Sequence, residues 1–206
     1  PAALALRSLA GLNFLLGEYQ QAAELQQQSL ALFRRLGDRW QATYCMLELG
    51  QLAAAQGDYE AAVAWYQQSL AHVREIGDLG LLAVHLESLG PTLFLQQEYQ
   101  EAEAAFQESL VLSQQTGNTR EVGMALSNLA NIDRALGRLE QARQRLVEAL
   151  PLLESAGELW SVLVCVKRLA SVCVEQSCGD DVRLYLRRSL ELALELDLPL
   201  EISDVL

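Results

Sequence analysis

The chain has 206 residues, 51% of them hydrophobic and 20% charged, and its 15 Lys and Arg stand against 27 Asp and Glu for a net charge of −12. That hydrophobic fraction excludes disorder, and the negative balance excludes a general nucleic-acid binder, which needs basic surface to displace the counterions of phosphate. Divided after Glu103, the halves carry 5 basic and 12 acidic, then 10 basic and 15 acidic residues, so neither is a basic domain.

In chain order, the apolar periodicity predicts ten helices starting near residues 1, 18, 39, 58, 79, 98, 119, 138, 159 and 180, and the start of an eleventh at Leu200. The first segment, Pro1 to Leu16, is apolar but carries Arg7 at its centre and no basic start, so it does not read as a signal peptide. No stretch of about 20 residues is free of charge and periodic polarity, so no membrane span is expected. Asp58 to Glu75 carries Ala61, Ala62, Trp65, Ser69, Leu70 and Val73 at spacings of three and four, the stripe of an amphipathic helix. Leu79 to Gln96 repeats this through Leu82, Leu86, Leu89 and Leu93. Between them, Gly77 suits a left-handed helix end and Asp78 the cap of the next helix. Asp38 with Gln41, and Asn118 with Glu121, offer capping boxes. Gly17, Gly57 and Gly137 punctuate the other junctions, and turns this short force antiparallel neighbours. Pro91 falls inside a predicted helix, where the missing amide proton and the crowded carbonyl of Glu87 predict a kink or a break. The last residues, Glu201 to Leu206, end an apolar segment without a cap, which reads as a cut in a longer protein.

These elements recur with a period of 40 residues. Leu30, Leu70, Leu110, Leu150 and Leu190 share one register; Gly37, Gly77, Gly117 and Gly157 another, with Asp197 in fifth place. Ala22, Ala62, Ala102 and Ala142 are followed by Val182, and Ser29, Ser69, Ser109 and Ser189 share a column with Ala149. Leu9, Leu49, Leu89, Leu129 and Leu169 form a fifth column.

Leu49-Gly50, Gly57-Asp58-Tyr59, Ala61-Ala62, Tyr66 and Ser69-Leu70 resemble the tetratricopeptide repeat (TPR), as do Leu89-Gly90, Tyr99, Ala102, Phe106 and Ser109, and again Leu129-Ala130, Gly137, Ala142 and Ala149. The 40-residue form is similar to arrays of kinesin light chains and of bacterial STAND and other multidomain regulators. The fifth unit departs from the pattern, with Cys178-Gly179-Asp180-Asp181-Val182 in place of the usual turn. The resemblance implies an all-α fold, an α-solenoid winding as a right-handed superhelix. Its five helix pairs would fill residues 1–35, 39–75, 79–115, 119–155 and 159–196, with a partial helix over 199–206, in a single array that is a fragment of a longer protein. It further implies a concave wall made by the first helix of each pair, whose ligand-facing positions include Leu47 and Gln51; Glu87, Pro91 and Phe94; Ser127, Asn128, Asn131 and Arg134; and Lys167 and Arg168.

Catalytic and metal chemistry find no support. Lys167 is the one lysine and no phosphate-binding glycine loop surrounds it. His72 and His85 lie in no metal or nucleophile motif. Cys45 and Cys165 share a column with His85 and Ala125 and read as core. Cys165 and Cys173 are too far apart along a helix to share a metal, while Cys173 and Cys178 can meet across a turn but supply only two ligands. Four unevenly spaced cysteines do not make a secreted disulfide framework, so the cytoplasm is the expected location. The expectation is a non-enzymatic binding scaffold or sensor without cofactor or metal, part of a larger bacterial regulatory protein, whose partner is a protein or peptide and neither nucleic acid nor membrane. The alternative is a receptor enclosing a small-molecule or peptide inducer. Self-association through Leu4, Leu6 and Leu12, and through Leu192, Leu194 and Leu198, is expected if array ends expose apolar faces.

Overall fold

The computed structural model describes residues 1–197, and among these every element is a helix: α1 (Ala2–Leu15), α2 (Tyr19–Leu36), α3 (Arg39–Ala55), α4 (Tyr59–Ile76), α5 (Leu79–Leu95), α6 (Tyr99–Thr116), α7 (Thr119–Ala135), α8 (Leu139–Ser155), α9 (Leu159–Glu175) and α10 (Gly179–Glu195). Each start lies within one residue of the position read from periodicity. The expected partial helix over 199–206 and Leu198 lie outside the described residues. The fold is that of a TPR-type α-solenoid. None of these helices is long and apolar enough to cross a membrane.

The corners explain the regularity. Asp38, Asp58, Asp78 and Asn118 each accept a hydrogen bond from the backbone N–H three residues on, at 2.9–3.3 Å, which satisfies one of the amide donors that a helix start leaves open. Glu121, the acid of an expected capping box, holds its carboxylate on Arg120 at 2.6 Å. At the helix ends the residue after the last turn is left-handed: Gly37 has φ 71° and Gly77 φ 79°. The repeat geometry imposes this even without glycine, for Gln97, Ser177 and Asp197 stand in the glycine columns with φ 64°, 61° and 53°.

Pro91 does not break α5, which runs unbroken from Leu79 to Leu95. Its ring is on the exposed side, while Leu89, Gly90, Thr92 and Leu93 around it are buried and hold the helix in place. Pro151 is accommodated in the same way inside α8.

Two compact units divide after Glu108. In the first, Ala22, Leu30, Phe33, Cys45, Met46 and Leu49 form a buried cluster against which Tyr19 and Trp65 pack. In the second, Ala142, Leu146, Ala149, Leu153, Leu163, Cys165 and Leu169 do the same. Within each unit successive helices pack in order, and the first helices of consecutive pairs also touch, α3 with α5 and α7 with α9. No helix pair encloses its own core, so stability is a sum of nearest-neighbour interfaces.

The alanine column Ala22, Ala62, Ala102 and Ala142 is wholly buried. The serine column works by hydrogen bonding: Ser29 Oγ donates to the Ala3 carbonyl at 2.8 Å and Ser69 Oγ to the Thr43 carbonyl at 2.9 Å, tying each second helix to the first of its pair. Ion pairs spaced near one period join successive repeats on the surface, such as Arg74–Glu108 at 3.0 Å and Arg143–Asp181 at 2.8 Å. Their exposure to solvent keeps the contribution of each small.

Candidate groove on the first helices of the repeats

The expected ligand positions lie on α3, α5, α7 and α9, and the structure sorts them into three groups. Leu47, Glu87 and Ser127 are buried, at 6%, 7% and 4% exposure. Pro91 is exposed, and Phe94 lies against Tyr99 with ring centroids 5.3 Å apart, as Phe14 lies against Tyr19 at 5.6 Å. These aromatic pairs span the turn between the two helices of a repeat, which gives Phe94 a structural task. Gln51, Asn128, Asn131, Arg134, Lys167 and Arg168 reach the surface wholly or in part.

In the first unit Arg7 organises this face. Its guanidinium donates to both Glu48 carboxylate oxygens at 3.1 Å and to Gln41 Oε1, and it lies 5.2 Å from the centroid of the Tyr44 ring. Gln26, itself buried, donates to the same Glu48 carboxylate. A cleft of ≈ 160 Å³ opens beside this cluster, bounded by Ala10, Gly11, Phe14, Gln51 and Leu52. Glu48 is therefore held by its own protein, and both it and Gln51, expected ligand positions on α3, border the cleft.

Behind Tyr44 lies His85, fully buried, with its ring 5.9 Å from that of Tyr44 and Nδ1 2.7 Å from Ser69 Oγ. Burial pushes its pKa down to about 4. A neutral imidazole enclosed in this way packs and does not reach a substrate. The cysteines in the same column, Cys45 and Cys165, are equally buried, and desolvation pushes both thiols up. Among the described residues no group of three or more His, Cys, Asp or Glu is placed to hold a metal.

In the second unit a cleft of ≈ 150 Å³ opens between α7 and α9, and a second of ≈ 230 Å³, lined by α9 residues alone, adjoins it; the two share Trp160, Val164 and Arg168. Ser127, Asn128 and Arg168 come together in the first cleft, and Lys167 lines the second. Arg168 Nη1 donates to Ser127 Oγ at 2.8 Å and to Asn128 Oδ1 at 3.1 Å, which orients the guanidinium across the groove. Arg134 stands apart, paired with Glu175 at 2.9 Å. The floor is apolar through Met124, Leu153 and Val164. Trp160, with 51% of its surface exposed, was not among the expected positions. Its large apolar ring at the first turn of α9, in a column shared with Trp40, Gly80 and Arg120, is the signal that could have found it.

Asp133 was also not foreseen. It is completely buried near the end of α7, with Arg138 Nε 2.8 Å and Arg145 Nη1 2.7 Å from its carboxylate oxygens. The other members of its column are Asn13, Ala53, Leu93 and Cys173, so the repeat pattern predicts no acid there.

The sequence from residue 2 to 201 matches the model of the MalT-like TPR region. No curated protein matches the chain. Similar solved structures include BtubC from P. vanneervenii, 17% identical with a TM-score of 0.81 over 93% of this chain and 80% of that one. A Rap protein complexed with competence and sporulation factor is 11% identical, TM-score 0.85, over 97% of this chain and 56% of the other. A signal transduction ATPase with numerous domains and a tetratricopeptide repeat sensor, from Pyrococcus horikoshii, is 15% identical, TM-score 0.83, over 98% of this chain and 31% of the other. The chain thus spans little more than half of the Rap protein and under a third of the ATPase.

Proposed function

The chain belongs to the MalT-like TPR family, and on that footing we propose that it is a non-enzymatic peptide- or protein-binding module, the sensor part of a larger bacterial signalling or regulatory protein. Its ligand is an extended acidic polypeptide segment laid along the groove between α7 and α9. The observation that carries this reading is that Trp160 and Arg168 line both of two adjoining clefts, one with an apolar floor and the other lined also by Lys167, in a protein of net charge −12. An aromatic plate beside two cations suits a segment that alternates apolar and acidic side chains. Asn128, on the α7 side of the first cleft, offers an amide that can meet a peptide backbone. The Rap protein complexed with competence and sporulation factor, and the ATPase described as carrying a repeat sensor, share this fold and make such a use reasonable here.

A second reading, a receptor for a small inducer, draws on the cleft of the first unit, which Phe14 and Leu52 line with apolar surface. One experiment separates them. With Trp40 and Trp65 replaced by Phe, Trp160 is the sole indole fluorophore, and short acidic, neutral and basic peptides and candidate small molecules are titrated in turn. Saturable quenching by acidic peptides, weakened by added salt and by Arg168→Ala, supports the groove. Binding that ignores Arg168→Ala, or that is confined to uncharged small molecules, overturns it.

A further inference from the structure

The corner between α9 and α10 is set apart from the other corners by its two cysteines. Its left-handed residue is Ser177, its helix-starting residue Cys178 makes no side-chain cap bond, and the column of Cys173 is held elsewhere by Asn, Ala, Leu and Asp. Cys178 N–H donates to the Cys173 carbonyl at 2.9 Å and Ser177 N–H to the Val174 carbonyl at 3.1 Å. This pair of bonds around a left-handed residue is the Schellman motif, which brings the side chains at its two ends into contact. The preceding repeat shows the same juxtaposition: Arg138 N–H donates to the Asp133 carbonyl at 2.7 Å, and their side chains form an ion pair at 2.8 Å. At the α9–α10 corner the two ends are thiols, Cys173 buried and Cys178 partly exposed, with the Cys178 Sγ 3.9 Å from the Gln176 carbonyl oxygen.

We propose that Cys173 and Cys178 form a reversible disulfide, a redox staple across the α9–α10 corner, made by exchange with a low-molecular-weight disulfide such as oxidised glutathione. The half-exposed Cys178 meets the oxidant first. Its thiolate attacks one sulfur of the glutathione disulfide, the S–S bond breaks, and one glutathione thiolate leaves. Cys173 then loses its proton to solvent and attacks the Cys178 sulfur of the mixed disulfide, releasing the second glutathione thiolate. Two protein thiols are oxidised to one disulfide, and one glutathione disulfide is reduced to two glutathione molecules.

The surroundings favour this order. Burial pushes the Cys173 thiol up, while the Arg143 guanidinium, which also pairs with Asp181 at 2.8 Å, pulls against it. Cys173 thus keeps its proton until the mixed disulfide sits beside it. The bond would hold a corner that has neither glycine at its left-handed position nor a side-chain cap, and would fix α10 against α9.

The folded chain is equilibrated in glutathione buffers of increasing oxidised fraction, alkylated and digested with trypsin. The peptide spanning residues 169–183 contains Cys173 and Cys178 but neither other cysteine. The expected result is a loss of two hydrogen atoms from this peptide, reversed by dithiothreitol, with a raised thermal midpoint in the oxidised protein. Cys173→Ala should accumulate a stable glutathione adduct on Cys178, and Cys178→Ser should block both products. Wild-type protein that carries glutathione stably on Cys178, or that closes the bond only in denaturant, overturns the proposal.

Discussion

A methyl group placed on Gly90 would lie 2.3 Å from Cζ of Phe106, so the absence of a side chain at one residue is what admits the ring of the other. Gly50 and Tyr66 stand in the same relation, at 2.5 Å. Where the ring is replaced, the glycine is too: Ala130 shares its repeat with Leu146, Ala170 with Leu186, and Ala10 with Gln26. The two columns vary together because one fixed space between the helices of a pair is divided between them. Tyr66 adds a hydroxyl, which meets Thr92, the one polar member of a column otherwise made of Leu12, Leu52, Ile132 and Val172.

Gly90→Ala should therefore destabilise the protein by about 1–3 kcal/mol, the usual cost of overpacking a close-packed site. Adding Phe106→Leu, which recreates the Ala130 and Leu146 pairing, should recover most of that loss. Urea unfolding of both single variants and the double variant gives the coupling; simple additivity of the two losses would refute the shared-space account.

His85 makes stability depend on acid. Its folded pKa of about 4 lies below the ordinary 6.5, so the folded state favours the neutral ring. The stability it contributes is complete above about pH 6.5 and is lost as pH falls toward 4, on the order of 3 kcal/mol in all. In His85→Ala, whose new side chain matches Ala125 in the next repeat, the slope of stability against pH over that window should flatten by up to one proton. An unchanged slope would show that another group carries it.

Asp133 is a buried carboxylate shared by two arginines, and Asp133→Ala would leave both guanidinium groups facing a dry site. Loss of one partner of a buried ion pair costs about 3–5 kcal/mol. Because Arg138 and Arg145 retain 36% and 27% exposure and can turn to water, a cost nearer 2–3 kcal/mol is expected. Arg138→Gln should cost less, since Arg145 still neutralises the carboxylate. Thermal or chemical denaturation would rank the two, and the reverse order would count against this reading.

Gln97 occupies the left-handed position at the end of α5 with φ 64°. A side chain there costs about 1 kcal/mol, of which the greater freedom of glycine in the unfolded chain takes back about half. Gln97→Gly should then stabilise by roughly 0.5 kcal/mol, read as a small rise in urea midpoint. Gly77→Ala, the converse change, should lower it.

Much of the molecule is written in local sequence. Helix starts, Asp and Asn caps, left-handed glycines and the alanine and serine columns follow from residue type and spacing, because each acts within a few residues or recurs at every period. Even Pro91 was visible, and of the kink or break expected there the break does not occur, because buried neighbours on either side hold α5 continuous. What only the tertiary structure decided are the roles of groups whose partners lie about one repeat away and differ from repeat to repeat. Leu47, Glu87 and Ser127 occupy positions that the resemblance assigns to a ligand, yet they are buried; Glu48 is bound by Arg7; Asp133 is buried between two arginines. Packing of consecutive first helices determines which polar side chains are used internally and which face the groove. Trp160 became visible as a groove residue for the same reason, since a single helix does not reveal which apolar side chain its neighbour leaves uncovered.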